Sequence, residues 1–70
     1  MLNVDKLLGA IFARGYNKGS FTRALGKNAG WLSYKIKHNN FTLAEANNIV
    51  VLLKLTASEA SDIFFGLKVA

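Results

Sequence analysis

The sequence contains no cysteine and no proline, and its longest aliphatic run covers only residues 49–53. Without cysteine, neither a disulfide framework nor a thiolate metal site can form, and a reducing compartment is the natural setting. A membrane-spanning helix needs about 20 apolar residues, far more than this run supplies. The first residues include Asp5 and have no long apolar stretch before a cleavage site, so they do not match a signal peptide. We expect a cytoplasmic protein that is not embedded in a membrane.

Acidic residues are scarce, and all four of them lie at Asp5, Glu45, Glu59 and Asp62. The formal net charge is +5. Between residues 14 and 37 there are six basic residues and no acid, namely Arg14, Lys18, Arg23, Lys27, Lys35 and Lys37. A field of one sign favours a polyanionic partner, either nucleic acid or an anionic membrane surface. A charged surface that only keeps the protein soluble is the alternative.

The sequence offers little for catalysis or for metal binding. Its only histidine is His38, and its acids are scattered over different predicted helices. Glu59 and Asp62 are three residues apart, a spacing typical of a solvated helix face. One histidine without a neighbouring carboxylate or thiol is not a metal-ligand set. We expect no enzymatic activity, no metal and no cofactor.

Apolar spacing and capping residues predict a single domain over residues 1–70 with an all-α fold, a compact bundle of five short helices. The first three predicted helices cover residues 4–14 after Asn3, 18–25 after Asn17, and 29 to about 37 after Asn28. A capping box at Thr42 to Glu45 is expected to open the fourth helix. A similar box, either "TASE" or "SEAS" within residues 56–61, is expected to open the fifth. Gly15 and Gly26 are the expected stops of the first two. The predicted core is Leu7, Ile11, Phe21, Leu25, Leu32, Ile36, Ile49, Leu52, Leu53 and Ile63. The tail "GLKVA" is expected to form an extended arm or a short strand.

The second and third predicted helices, about residues 18–38, fit a helix-turn-helix. Such a motif needs an apolar residue deep in each helix, a glycine in the turn and a cap that opens the second helix. The sequence supplies these in order with Phe21, Leu25, Gly26, Asn28, Leu32 and Ile36. The motif coincides with the acid-free basic stretch, which favours DNA as the polyanion.

The stretch "SFTRALGKNAGWLSYKIKHNNFTLAEANNIVVLLKL", continuing to "SEASDIFF", resembles the lambda-repressor-like helix-turn-helix regulators, especially the short phage repressor and Cro-type proteins of Gram-positive bacteria. Leu25-Gly26 and Leu32-Ser33 stand where that family has its "LG" turn and its recognition-helix core. The resemblance implies a sequence-specific transcriptional regulator that binds double-stranded DNA, a phage or prophage repressor acting by operator occupancy in the bacterial cytoplasm. It also implies a homodimer on DNA.

The resemblance implies two sets of DNA contacts. The positions that would face base edges are Asn28, Ala29, Gly30, Ser33 and Tyr34. The expected contacts to the DNA backbone are Lys18, Ser20, Lys27, Trp31, Lys35, Lys37, His38 and Asn39. Ala29 and Gly30 cannot make a bidentate bond to a purine, so specificity is expected to depend on the neighbouring polar side chains or on DNA shape.

Trp31 and Tyr34 are expected on the outer side of the third helix, where their rings can pack along sugars and phosphates. Packing of Trp31 between helices as part of the core is the alternative. Arg14 and Lys54 are expected to be solvated surface residues. Dimer contacts are expected from the last helix and the tail, at Phe64, Phe65, Leu67 and Val69.

Two other functions stay open at this point. The size, charge and hydropathy would suit a cationic membrane-active peptide, although capped, segmented helices indicate a globular fold. The same fold could instead serve as a protein-interaction module, such as an antirepressor that binds another regulator through Trp31 and Tyr34. Because 70 residues are not expected to include a separate sensor domain, control is expected to come either from the concentration of the protein or from a protein antagonist.

Overall fold

The computed structural model describes residues 2–64, which form five α-helices and no strand. The helices are α1 (Val4–Ala13), α2 (Lys18–Ala24), α3 (Trp31–His38), α4 (Leu43–Leu53) and α5 (Ala57–Ile63). The predicted all-α bundle of five short helices is confirmed. The predicted C-terminal arm lies outside the described residues.

Side-chain caps define where four of the five helices begin. Asn3 Oδ1 accepts a hydrogen bond from the Lys6 N–H at 3.1 Å at the start of α1. Reciprocal capping boxes open the other three, formed by Asn17 with Ser20, Thr42 with Glu45, and Thr56 with Glu59. Each box gives partners to backbone N–H groups that a helix start leaves unpaired. The caps predicted at Asn3, Asn17 and Thr42 are confirmed, and of the two starts predicted for the last helix the structure has the one at Thr56.

Glycines in the left-handed conformation end α1 and α2, as predicted. Gly15 has φ +85° and Gly26 has φ +75°, angles that cost residues with a Cβ much more than they cost glycine. Beyond them, the Tyr16 N–H reaches back to the Ile11 carbonyl at 3.1 Å and the Lys27 N–H to the Thr22 carbonyl at 2.9 Å. These bonds satisfy carbonyls that would otherwise lack partners. The chain can therefore turn sharply after each helix.

All five helices contribute residues to one core. Seven predicted core residues are buried, namely Leu7, Ile11, Phe21, Leu32, Ile49, Leu53 and Ile63. Leu25, Ile36 and Leu52 are only half-buried and pack at the edge. The residues that the prediction missed include Phe41 and Leu55, which lie in the connections before and after α4. They were missed because helical periodicity carries no signal in a loop.

Phe64 belongs to this core. Its exposed fraction is 1%, and its ring contacts Phe41 edge to face with ring centroids 5.8 Å apart. The expectation that Phe64 contributes to a dimer interface is therefore wrong, because it has no surface left to offer a partner. The other expected dimer residues, Phe65, Leu67 and Val69, lie outside the described residues.

The first and last described segments are joined. The Asn3 N–H donates to the Ile63 carbonyl at 2.8 Å, and Leu2 pairs with Phe64 in an isolated antiparallel bridge. Along the same contact, Lys6 Nζ lies 3.3 Å from the Asp62 carboxylate. The first helix is thus held directly against the last.

Arg14 connects three helices. Its Nε donates to the Leu53 carbonyl at 2.9 Å, and its guanidinium lies 3.5 Å from the Glu59 carboxylate. Arg14 is exposed, as expected, but its side chain is also bonded within the protein. Its planar fork of donors can bond the end of α4 and the first turn of α5 at once.

Candidate nucleic-acid interface

The turn between α2 and α3 positions the first candidate contacts. α2 and α3 pack against each other, and Gly26 reverses the chain between them. Asn28 Oδ1 accepts a hydrogen bond from the Gly30 N–H at 3.1 Å, which makes a side-chain turn two residues long. Asn28, Ala29 and Gly30 are all exposed. The turn therefore presents its backbone and short side chains to solvent.

The start of α3 differs from the prediction. The helix begins at Trp31, its N-cap is Gly30, and no side chain caps it. The predicted cap Asn28 instead bonds the residue two positions on, so the prediction that it opens a helix at residue 29 is wrong. Ala29 and Gly30 consequently lie in the turn and not in the first turn of the helix.

One side of α3 is buried and the other is free. Leu32 is buried, Ile36 is half-buried, and the exposed positions are Ser33, Tyr34, Lys37 and His38. These four are related by three- and four-residue spacings, so they share one face of the helix. The Tyr34 and His38 rings contact each other with centroids 4.4 Å apart, and Tyr34 is 54% exposed. This face offers hydroxyl groups, an imidazole and an ammonium group to a ligand.

Trp31 does not stand on the outer side of α3 as expected. It is half-buried and packs edge to face on the core residue Phe41, with ring centroids 5.8 Å apart. Lys27 Nζ lies 5.7 Å from the centre of the indole, a cation–π distance. The alternative placement, with the indole against the core, describes it better. The contact expected between Trp31 and the DNA backbone stays a prediction. Only the exposed part of the ring could make that contact.

Lys35 is engaged within the protein. Its Nζ lies 2.9 Å from Glu45 Oε1 and also donates to the Asn40 carbonyl at 3.3 Å. Only 14% of the Lys35 side chain and 17% of the Glu45 side chain are exposed. Its expected role as a phosphate contact is therefore not supported by its surroundings, since its charge is already neutralised.

Two carboxyl groups carry lowered pKa values. Partial burial alone would raise the pKa of Glu45, but the hydrogen bond from the Thr42 N–H and the nearby Lys35 ammonium outweigh it and lower the pKa from its ordinary value of 4.5. At Glu59, the hydrogen bond from the Thr56 N–H, helped by Arg14, lowers the pKa in the same way. Both carboxylates are therefore tied to helix starts and to cations of other helices.

The basic side chains fall into two groups. Three of them form ion pairs, Lys6 with Asp62, Arg14 with Glu59 and Lys35 with Glu45. Within residues 2–64, no carboxylate oxygen lies within 4.0 Å of the remaining ones, which are Lys18, Arg23, Lys27, Lys37 and Lys54. Apart from Lys54, these unpaired cations all belong to α2, α3 and the turn between them. The acids Asp62, Glu59 and Glu45 are thus paired with other cations, and positive charge remains concentrated on α2, α3 and the turn between them.

The other residues expected to contact the DNA backbone differ in whether their side chains already have hydrogen-bond partners. The Ser20 hydroxyl already accepts the Asn17 N–H at 2.9 Å within its capping box. His38 and Asn39 are exposed at the end of α3, where Asn39 adopts φ +48° and stops the helix. Arg23 was not among the expected contacts, although it is an exposed, unpaired cation on α2. The acid-free run from residue 14 to 37 was the signal that should have included it.

The described residues contain no group of three or more His, Cys, Asp or Glu side chains that could hold a metal ion. None of the five helices has the length and apolarity that crossing a bilayer requires.

Comparison of the chain with protein-family models, curated proteins and solved structures finds no significant match. Inference about function therefore starts from the geometry and charge described above and from the resemblance of the sequence.

Proposed function

We propose that the protein is a sequence-specific transcriptional regulator that binds double-stranded DNA through α2, α3 and their connecting turn. The observation that carries this proposal is the concentration of unpaired cations there, at Lys18, Arg23, Lys27 and Lys37. A polyanion with closely spaced phosphates is the partner that such a surface attracts.

In this proposal the exposed face of α3 enters the major groove and the cations bind phosphates on either side. Ser33 and Tyr34 can donate to or accept from base edges, and Asn28 can bond an adenine if its side chain leaves the turn. Ala29 can touch a thymine methyl group. Phosphate contacts fix the register of the protein, and these few polar groups then distinguish sequences.

The resemblance to phage repressor and Cro-type proteins makes the proposal more specific. It favours a phage or prophage repressor that blocks a promoter by occupying its operator as a homodimer. Acting on DNA would place it in the bacterial cytoplasm, and a protein antagonist would be a suitable means of control.

The test is duplex binding by fluorescence anisotropy at two salt concentrations, with the intergenic region upstream of the gene and a scrambled duplex. We expect tighter binding to the upstream region and a strong loss of affinity with salt. Lys37→Gln should weaken binding to both duplexes and reduce the slope of log affinity against log salt by about 0.9 for each bound copy, because each copy loses one phosphate contact. Lys54→Asn is the matched control, since it removes one charge outside α2 and α3 and should leave the slope unchanged.

A second variant tests sequence discrimination separately. Tyr34→Ala should reduce the preference for the upstream duplex by about 1–3 kcal/mol while leaving binding to the scrambled duplex nearly unchanged. Absence of binding to either duplex at low salt would contradict the proposal. Binding to anionic vesicles would then favour the membrane-active alternative, and its absence would favour a protein partner.

A further inference from the structure

One contact between aromatic rings lies on the surface of the protein. The Tyr34 and His38 rings have centroids 4.4 Å apart and planes inclined by 46°, and both residues are exposed. Every other ring pair among residues 2–64 includes a buried phenylalanine, either Phe21 or Phe41. Packing of the core therefore accounts for those pairs, but it does not account for the contact between Tyr34 and His38.

The geometry of α3 produces this contact. Residues 34 and 38 are four apart in the helix, so their Cβ atoms lie on the same side, about 5–6 Å from each other. A helical side chain leans toward the N-terminus of its helix, which carries the His38 imidazole over the turn that bears Tyr34. The imidazole thus occupies space into which the Tyr34 ring could otherwise rotate.

The backbone that carries His38 is firmly held. Asn39 stops α3 with φ +48°, and its N–H donates to the Ile36 carbonyl at 3.3 Å. The Asn40 N–H donates to the Lys35 carbonyl at 3.4 Å, and the Lys35 ammonium donates to the Asn40 carbonyl at 3.3 Å. Three hydrogen bonds therefore close the last turn of α3, and His38 is a fixed support for the ring beside it.

Tyr34 has little else to hold its ring. It is exposed, and among residues 2–64 its phenol group has no hydrogen-bond partner. A hydrogen bond to a base edge forms only over a narrow range of distance and angle. A side chain that samples several rotamers must be ordered when it binds, and this ordering lowers affinity. A ring that is ordered in the free protein avoids part of that loss.

We propose that His38 is a positioning residue, which holds the Tyr34 ring in the orientation that reads a base edge. This role of His38 rests on the proposed function. It differs from the contact to the DNA backbone that the resemblance implies for His38, because His38 acts through Tyr34 and not on a phosphate. A favourable aromatic pair changes an equilibrium constant about two- to tenfold, so His38 should contribute a factor of this size to discrimination between sequences.

The first measurement is made on the free protein by NMR. Nuclear Overhauser effects between the two rings, and scalar couplings that report a single χ1 rotamer of Tyr34, are expected in the wild type. His38→Ala should give couplings averaged over several rotamers, whereas His38→Phe should keep one rotamer because it keeps a ring. Averaged couplings in the wild type, or a single rotamer in His38→Ala, would overturn the positioning role without any measurement on DNA.

Duplex binding then separates positioning from phosphate contact. Between the upstream and scrambled duplexes, His38→Ala should lower the ratio of affinities about two- to tenfold for each bound copy and leave binding to the scrambled duplex unchanged. His38→Phe should restore the ratio, and His38→Lys should not, because it supplies a charge without a ring. Lys37→Ala, which truncates the neighbouring exposed side chain, is the matched control and should weaken binding to both duplexes equally.

A double-mutant cycle shows whether His38 acts through Tyr34. In a Tyr34→Ala background, His38→Ala should have no further effect on the ratio of affinities. A full effect in that background, or an unchanged ratio in His38→Ala alone, would overturn the positioning role. Equal losses on both duplexes that His38→Lys reverses would overturn it in favour of a phosphate contact.

Circular dichroism checks that every variant keeps its helices, which is expected because both side chains are exposed. A chain that binds neither duplex would refute the proposed function, and the role of His38 in base reading with it. Duplex binding with a preference that does not depend on His38 would refute the positioning role alone.

Discussion

Gly30 is a glycine that the fold does not require. Its φ is −83° and its ψ is −10°, which any residue can adopt. A Cβ added there would meet only Asn28 Oδ1, at 3.8 Å, an ordinary contact. Gly15 and Gly26, by contrast, have positive φ angles that turns demand. The lack of a side chain at Gly30 therefore fits a close approach of the backbone to DNA.

We expect Gly30→Ala to change the free energy of unfolding by less than about 0.5 kcal/mol, because the poorer N-cap that alanine makes is offset by the lower conformational entropy of the unfolded chain. Operator affinity should nevertheless fall, since the added methyl group separates the turn from the base edges. Urea denaturation and anisotropy measure the two effects. Gly9→Ala, the same change in α1 with nothing within 4 Å of the new Cβ, should leave DNA binding intact.

Lys54 adopts φ +53° at the end of α4, a conformation that is strained for a residue with a Cβ. Its N–H and that of Leu55 bond back into α4, so the tight turn is held in place.

Lys54→Gly should raise the free energy of unfolding by about 0.5–1 kcal/mol, because the relief of strain exceeds the added flexibility of the unfolded chain. Chemical denaturation checks this. Ser61→Gly, a glycine introduced inside α5, should instead lower stability by roughly the helix penalty of glycine relative to serine, about 0.5 kcal/mol. A loss of stability in Lys54→Gly would mean that the lysine side chain has a stabilising contact.

In addition to their shared core, α3 and α4 are linked by one ion pair. Lys35 and Glu45 meet at 2.9 Å with little solvent exposure, and Glu45 also caps α4 through Thr42. The same carboxylate thus contacts α3 and caps the start of α4.

Lys35→Met should destabilise the protein by about 1–3 kcal/mol, between the values for exposed and buried pairs, because it leaves Glu45 partly buried without its cation. A double-mutant cycle with Glu45→Gln measures the coupling. In DNA binding, Lys35→Met should leave the salt slope unchanged, whereas Lys37→Gln lowers it. A drop of about 0.9 in the slope for each bound copy of Lys35→Met would instead support the phosphate contact expected from the sequence.

Helix starts and stops proved predictable wherever the signal is local. A cap bonds an N–H three residues on, and a left-handed glycine needs only its own angles, so Asn17, Thr42 and Gly26 could be identified from the sequence. Asn28 misled the prediction because its side chain can bond at two alternative spacings. The placement of Arg14 depends on Leu53, 39 residues away, which no local pattern encodes.

The same limit applies to the candidate site. The basic stretch showed which part of the chain is cationic, but it did not show which cations the fold would neutralise. Lys35 and Lys37 look equivalent in the sequence, yet one is paired with Glu45 and the other has no carboxylate near it among residues 2–64. Trp31 was similarly ambiguous until the position of Phe41 was known.

Over the whole molecule, three of the four acids hold helices together through ion pairs. For Glu45 and Glu59 the pKa in the folded protein is lower than the ordinary value of 4.5. A carboxyl group of this kind stabilises the fold fully above its unfolded pKa, and that contribution is lost as the pH falls through its folded pKa.

We therefore expect the free energy of unfolding to be nearly constant from pH 7 to about pH 5 and to fall as the pH decreases below 4.5. Urea denaturation at a series of pH values measures this. The double variant Glu45→Gln, Glu59→Gln should be less stable at pH 7 and should show a shallower fall in acid. A fall of unchanged steepness in the variant would assign the acid sensitivity to other groups.

The hydrogen bond from Asn3 to Ile63 and the burial of Phe64 have a consequence for synthesis. Until α5 has been synthesised and has left the ribosome, α1 lacks the helix that packs against it, and the nascent chain can form only a partial core. α2 and α3 can pair earlier, because they are neighbours in the chain. Completion of the fold should then coincide with emergence of α5 from the exit tunnel, so ribosome stalling before that point would expose Leu7 and Ile11 to chaperones.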